Sequence, residues 1–368
     1  MKVLAMFDYS QAERAWQLWE NGQERESPEQ NLWGITQLHK HGIDVEILPY
    51  KKYSFLPRDL DQQIRVIFNS SQYDLVYSTC QTSTLLLALL HVLKIFNKPV
   101  VVKLERPFKS GVKSKILLQL FAQGHDNLIC LSSRVFEQLR DEFSIPEEKL
   151  SLLDWGPDLP SYELGKKNLV TRENGFFMSA GNSNRDYTSL ANAFDGIDYP
   201  LQIYCSEASA PKLQNLQTNV KINYNHPTAT TALSWNELVA EYDKAYAIAI
   251  PLYIPPDRID NCPLWGLTSL LDAMAMGKAT IMTKHRQVNI DIEKEKIGFW
   301  VEPGDVQGWK QAISYLIENP NETQEMGQRA RRLAEKKYNL DIFSLQLAET
   351  FKSLDKTGKK KELQSLLK

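Results

Sequence analysis

CPLWGLTSLLDAMAMGKATIMT, from Cys262 to Thr283, reads as a loop, a helix and a strand in succession. Pro263 and Gly266 mark the loop. Leu267, Leu270, Leu271 and Met274 then recur at helical spacing, and Gly277 suits a left-handed helix end. The short apolar run Ala279–Met282 follows as a strand. A helix that starts at Gly266–Leu267 presents unpaired backbone N–H groups and the positive end of its dipole, with the Thr268 and Ser269 hydroxyls in its first turn. Such a start suits a diphosphate and needs no metal. Asp272, one turn further on, is placed to accept hydrogen bonds from ribose hydroxyls. The same residues also read as a Thr/Ser-capped core helix with an incidental carboxylate, and both readings stand at this point.

Outward from this unit the pattern repeats in both directions. Apolar runs at Val3–Phe7, Val45–Leu48, Leu75–Tyr77, Val100–Leu104, Leu128–Leu131 and Leu150–Leu153 predict strands, with helical spacing at Gln30–His41, Ser83–Phe96 and Arg134–Phe143. After an irregular stretch, WGPDLPSYELGKKNLVTREN, strands are expected again at Gly175–Ser179, Leu201–Tyr204, Val220–Tyr224, Ala245–Ile250, Ala279–Met282 and Gly298–Val301. Helices are expected between them at Asp186–Phe194, Trp235–Tyr242, Leu267–Met276 and Trp309–Glu318, and at the end over Glu322–Lys337 and Asp341–Leu354. Strand–helix alternation of this kind builds parallel, doubly wound sheets. The expectation is an α/β chain of two facing Rossmann-like domains with a cleft between them. Residues 1–155 form the first, 156–174 a linker and 175–340 the second. Residues 341–368 form a terminal helix, free to pack back on the first domain, and a basic tail at Lys356–Lys361.

A chain of 368 residues exceeds one ordinary core, and 43% hydrophobic with 24% charged residues fits a globular enzyme. A formal net charge of -2 gives no whole-molecule attraction for nucleic acid, so none is expected as a partner. Cys80, Cys130, Cys205 and Cys262 are far apart and form no CxxC pair, which predicts reduced thiols and a cytoplasmic location. No secretory signal is read at the N-terminus and no run reaches membrane-span length. Asp59 and Asp61 make a D-x-D, but in RDLDQQIRVIF they read as acidic residues of a helix start. His39 and His41 fall on different helix faces, and His226 and His285 stand alone, so no metal site is expected. There is no P-loop and no nucleophile elbow.

The segment at Cys262–Thr283 resembles the donor-site helix of GT-B-fold glycosyltransferases of group 1, or family four, in which it reads as GLPLLEAMACGKPVI. DNLICLSSRVFEQLRDEFSIPEEKLSLLDWGPDL from Asp126, FFMSAGNSNRDYTSLANAF from Phe176, and GFWVEPGDVQGWKQAISYLIENP from Gly298 extend the likeness over the C-terminal two thirds. The resemblance implies the GT-B fold and transfer of a sugar from a nucleotide sugar, with retention of configuration and no essential metal or other cofactor. The acceptor would be a glycan, a lipid-linked saccharide or another small molecule. The fold also admits a nucleotide-sugar epimerase or a non-catalytic binding subunit as alternatives.

The resemblance also locates departures. The two family glutamates around the cradle fall on Leu264 and Asp272, so a sugar contact is left to Asn261 or Asp260. The family's Arg and Lys toward the diphosphate fall on Asn182 and Tyr187. Arg185, in the turn that Gly181 opens, then becomes the leading clamp, with Arg258 or Lys278 as helpers. The opposing reading makes Arg185 a surface residue paired with Asp186. Gly181, Gly266, Leu267, Thr268 and Ser269 complete the expected phosphate site. In the first domain the family histidine past the fourth strand falls on Glu105, beside Arg106. That pair reads either as a cleft lining with Glu105 catalytic or as a structural ion pair. Asp8, in the first strand-end loop, is an expected acceptor contact. The segment Lys109–Phe121, KSGVKSKILLQLF, reads either as a helix with a solvated face or as a peripheral contact with an anionic membrane.

Overall fold

The computed structural model describes residues 1–23, 27–50, 56–163, 170–213, 215–224, 233–259 and 262–355. Asp260, Asn261, His226 and the Lys356–Lys361 tail lie outside the described residues. The chain divides into two compact units. The first holds residues 1–25, 29–155 and 340–368, and the second holds 26–28 and 156–339.

The first unit carries β1 (Lys2–Met6), β2 (Asp44–Ile47), β3 (Leu75–Ser78), β4 (Val100–Leu104), β5 (Asn127–Cys130) and β6 (Leu150–Leu152). They form one sheet in the order β2-β1-β3-β4-β5-β6, and every pairing is parallel. The inner strands β3, β4 and β5 are buried along their whole length, which is why each reads as a mostly apolar run rather than an alternating one. Helices α1 (Gln11–Glu20), α2 (Arg58–Asn69), α3 (Leu85–Val92), α4 (Val112–Gln123) and α5 (Ser133–Glu137) make the connections. The helix expected over Gln30–His41 is two 3-10 segments, Glu29–Leu32 and Ile35–His41. Trp33 and Gly34 between them take φ of 51° and 82°, and a left-handed pair cannot continue a right-handed helix.

In the second unit α6 (Leu159–Glu163) lies within the stretch read as a linker, and its Tyr162 is fully buried. Strands β7 (Phe177–Ala180), β8 (Leu201–Cys205), β9 (Val220–Tyr224), β10 (Ala247–Ile250), β11 (Ala279–Thr283) and β12 (Gly298–Val301) form the second parallel sheet, in the order β12-β11-β10-β7-β8-β9. Helices α7 (Tyr187–Ala193), α8 (Trp235–Lys244), α9 (Leu267–Ala275), α10 (Val306–Glu318) and α11 (Pro320–Lys336) cover it. Residues Phe177, Leu190, Phe194, Ile281, Trp309 and Ile313 lie in its core. The last helix, α12 (Leu340–Ser353), belongs to the first unit, where Phe351 meets Tyr77 edge-on and Ser344 Oγ donates to the Gly34 carbonyl at 2.6 Å.

Each sheet has one place where chain order reverses. In the first it lies between β1 and β3, and in the second between β7 and β10. Connections leave such a point in opposite directions, which opens a crevice at the carboxyl ends of the strands.

Candidate active site

The crevice between β7 and β10 holds a cavity of about 390 Å³. Gly181, Arg185, Gly266, Thr268, Ser269 and Asp272 all line it, so sequence positions more than eighty residues apart converge there. Leu264 and Trp265 complete the loop side, and Tyr204 and Tyr242 supply aromatic wall. A larger hollow of about 460 Å³, lined by Arg172, Lys278 and Asn321, lies at the amino ends of β10 and β11. Lys278 Nζ donates there to the carbonyls of Asp243 and Ala245, so it stands at the opposite edge of the sheet from the cradle it was expected to help. Arg258 sits on an exposed 3-10 turn and does not line the cavity.

The cradle depends on Gly266. Its φ of 77° turns the chain into α9, and a Cβ there would lie 2.7 Å from Met282 Cε. No other residue meets both demands without strain. The Leu267 N–H is not available to a ligand, because it donates to the Leu264 carbonyl at 3.3 Å. Leu267 is buried beneath the turn, which leaves the Thr268 and Ser269 N–H groups at the open start of α9.

Arg185 reaches this helix start from the turn after β7. Its Nη2 donates to Ser269 Oγ at 2.9 Å and to the Ala180 carbonyl at 3.3 Å, and its Nη1 donates to the Ser183 carbonyl at 3.1 Å. Among the described residues none of these partners is a carboxylate. Asp186 does not pair with it; Asp186 caps α7 by accepting from the Ser189 N–H at 3.0 Å. The guanidinium is thus positioned by neutral oxygens and keeps its full charge for the cavity. A Cβ at Gly181 would come within 2.7 Å of Arg185 Nη2, so the glycine makes room for the guanidinium.

The two positions at which the resemblance would place cations carry scaffolding instead. Tyr187 is buried and donates to the Gly181 carbonyl at 2.6 Å, which fixes the turn from below. Asn182 Oδ1 accepts from the Ser206 N–H at 2.6 Å and ties the same turn to the loop after β8.

Asp272 is buried, and Tyr162 of α6 donates to its Oδ1 at 2.5 Å. Burial lifts its carboxyl to about 7, against the opposing pull of the Tyr162 hydroxyl. No local signal points to this partner, because Tyr162 sits in a stretch rich in turn residues. His285 was also missed. It is buried, its Nε2 lies 2.9 Å from the Trp265 carbonyl, and its Nδ1 faces the Gln287 N–H at 3.4 Å and Cys262 Sγ at 3.6 Å. One neutral tautomer satisfies all three contacts, with Nε2–H donating and Nδ1 accepting. Burial lowers the ring to about 4, so it stays neutral and clamps the cradle loop.

In the first unit Asp8 is exposed in the turn after β1, and Arg106 is exposed just past β4. Glu105 does not pair with Arg106. Its partner is Lys103, whose side chain is 1% exposed and whose Nζ lies 3.2 Å from the Trp33 ring centroid. Burial pulls the Lys103 ammonium down and Glu105 pulls it back up. Gln81 Oε1 accepts the N–H groups of both Glu105 and Arg106 at 3.2 and 3.3 Å, which fixes this strand end. A lysine inside VVVKL was the available signal for Lys103, since a charge on a fully buried strand requires a partner. Among the described residues no three His, Cys, Asp or Glu side chains gather to hold a metal ion.

Residues 212–333, which include α9 and the cradle, match the family model for glycosyl transferases group 1. A comparison with curated proteins finds no match. Solved structures similar to the chain include HepE of Anabaena in complex with UDP, at 17% identity and a TM-score of 0.64 over 96% of this chain and 100% of that one. Sucrose-phosphate synthase of Thermosynechococcus elongatus aligns at 14% identity and 0.67, over 96% and 99% of the two chains. A glycosyltransferase of Rickettsia africae aligns at 15% and 0.64, over 96% and 98%. At such identities the likenesses establish the fold. The group 1 model is matched on the unit that builds the cradle, and the GT-B fold is shared along nearly the whole length of the chain.

Proposed function

We propose that the chain transfers a sugar from a uridine diphosphate sugar to an acceptor hydroxyl, with retention at the anomeric carbon. The observation that carries this is Arg185, whose partners among the described residues, over the open start of α9, are all neutral. The solved relatives bound to UDP, to UDP and glucose, and to UDP-glucose support the choice of nucleotide. In this reading the Thr268 hydroxyl, the Thr268 and Ser269 N–H groups and the Arg185 fork take the diphosphate, and Asp272 accepts from the ribose. The bond from the anomeric carbon to the phosphate oxygen breaks as the bond to the acceptor oxygen forms. The acceptor's proton passes to the departing phosphate oxygen, and the negative charge that grows on the diphosphate is what the site stabilises. No resident metal enters this scheme. Glycans, lipid-linked saccharides and other small hydroxyl compounds remain the acceptor classes.

Titration calorimetry of the full chain with UDP and GDP tests the reading. UDP should bind, and both Arg185→Ala and Thr268→Val should weaken it while the melting curve stays the same. Absence of binding by any nucleoside diphosphate, or binding that neither substitution alters, would sink the assignment.

A further inference from the structure

The crossovers after β3 and β4 carry helices with apolar solvent sides. In α3 and its end, Leu85, Leu89 and Leu93 follow in steps of four and stand exposed, while Leu87 and Ala88 turn inward. In α4, Val112, Ile116 and Leu120 repeat that step, with Val112 79% exposed, while Leu118, Phe121 and Ala122 are buried. Steps of four keep side chains on one side of a helix, so each helix shows a continuous apolar stripe to water.

The two stripes adjoin. Right-handed crossovers from neighbouring parallel strands put α3 and α4 on the same face of the sheet. His125 Nε2, just past α4, meets Thr84 Oγ1 at the start of α3 at 2.9 Å, and Gly124 has no room for a Cβ against Ala88. Half of the large apolar side chains that are exposed among the described residues lie in this one region. A helix with an ordinary solvated face carries polar residues there. A patch of this kind marks a binding surface.

Its charge points to the occupant. Lys94, Lys98, Lys109, Lys113 and Lys115 fall within residues 85–98 and 108–123, which contain no Asp or Glu. A second copy seated face to face would set these lysines against their own equivalents. An anionic lipid headgroup layer offers phosphates to the lysines and hydrocarbon to the stripes. We propose that the α3–α4 face docks this unit on an anionic bilayer, with α4 lying in the plane of the headgroups. Helix α4 has 12 residues, and no helix among the described residues is long and apolar enough to cross a membrane. The contact is therefore interfacial.

Flotation of the full chain with phosphatidylcholine vesicles, with and without phosphatidylglycerol, reads this directly and needs no nucleotide, so it fails or succeeds apart from the donor assignment. Binding should require the anionic lipid and weaken in high salt. Lys109→Gln and Lys113→Gln should each weaken it about fivefold. Ile116→Glu with Leu120→Glu should abolish it at an unchanged melting temperature, which is expected for two surface positions. No flotation with anionic vesicles would overturn the proposal, as would equal flotation of the glutamate variant. So would a dimer, seen by sedimentation, that Ile116→Glu dissolves while vesicles go unbound.

Discussion

The two units have sheets of the same size and parallel sense, yet they treat a cation near the carboxyl ends in opposite ways. In the second unit Arg185 is held by two carbonyls and a hydroxyl, and its charge faces a cavity. In the first, Lys103 is sunk to 1% exposure, roofed by Trp33 and neutralised by Glu105. A guanidinium with neutral partners has charge left for an anion. An ammonium with a carboxylate partner has spent it on the fold. Position at a strand end therefore says where a ligand is possible, and the counter-ion says which end is furnished for one.

The sharpest way to break the contrast is Arg185→Ala. If the guanidinium carries the leaving diphosphate's charge, turnover should fall by about 10²–10³, as when one preorganised oxyanion donor is removed, and thermal stability should stay near that of the parent. Transfer rates with an excess of donor, beside a melting curve, check both halves. A stability loss with no rate effect would make Arg185 a structural residue like Lys103.

Glu105→Gln tests the other side. It strips the buried Lys103 ammonium of its counter-charge, and breaking such a pair costs about 3 kcal/mol, the low end of the range because Glu105 is itself partly exposed. Adding Lys103→Met should recover most of the loss, since an apolar chain fills the same slot under Trp33. A stable Glu105→Gln chain with impaired transfer would instead return Glu105 to the reacting groups.

These cases show what the sequence could display. All twelve strands of the described residues are visible in it, because buried parallel strands need runs such as VVVKL and AIAI, and a run is a local signal. The Gly266 turn is visible for a similar reason: a glycine before an amphipathic helix is a local event. Partnership is not local. Nothing in VVVKLER says that Glu105 answers Lys103 rather than Arg106. Tyr162 reaches Asp272 across 110 positions, and His285 closes on the Trp265 carbonyl from the next strand's end. The helix expected over Gln30–His41 failed on backbone alone, since the left-handed φ of Trp33 is nowhere announced by its side chain. The departures at Asn182 and Tyr187 were visible as departures, but their use as scaffolding beneath the Arg185 turn required the hydrogen bonds.

Acid response separates the units again. His125 in the first unit is fully buried and lowered to about 4, with Phe121's carbonyl 2.6 Å from Nδ1. Between pH 6.5 and 4 the unfolded chain takes a proton that the folded His125 refuses, so stability falls with pH by about 3 kcal/mol in that unit. His285 acts the same way in the second unit. There, however, Asp272 at about 7 holds a proton in the folded state that the unfolded carboxyl has released, which favours folding as pH drops through the same window. The two nearly cancel. Hydrogen exchange at pH 7 and 4.5 should show the first unit loosening and the second holding. In Asp272→Asn the second should loosen as well. A second unit equally acid-labile with and without Asp272 would refute the offset.

The smallest expected effect falls on the hydroxyl that tunes this carboxyl. Tyr162 donates to Asp272 and favours its ionised form, against the burial that raises it. A ribose hydroxyl is best accepted by the carboxylate, so UDP affinity should climb as pH rises through about 7. Tyr162→Phe removes the one group that opposes burial, and the midpoint of that climb should move upward. Well above it affinity should match the parent, and at neutral pH it should fall by about fivefold, the worth of one hydrogen bond of about 1 kcal/mol. Because Tyr162 stands on α6, an unmoved midpoint would mean that the segment before β7 only packs against the donor helix. A shifted midpoint would make that segment part of the nucleotide site, an element with no counterpart at Lys103, where the tuning partner lies two residues away on the same strand end.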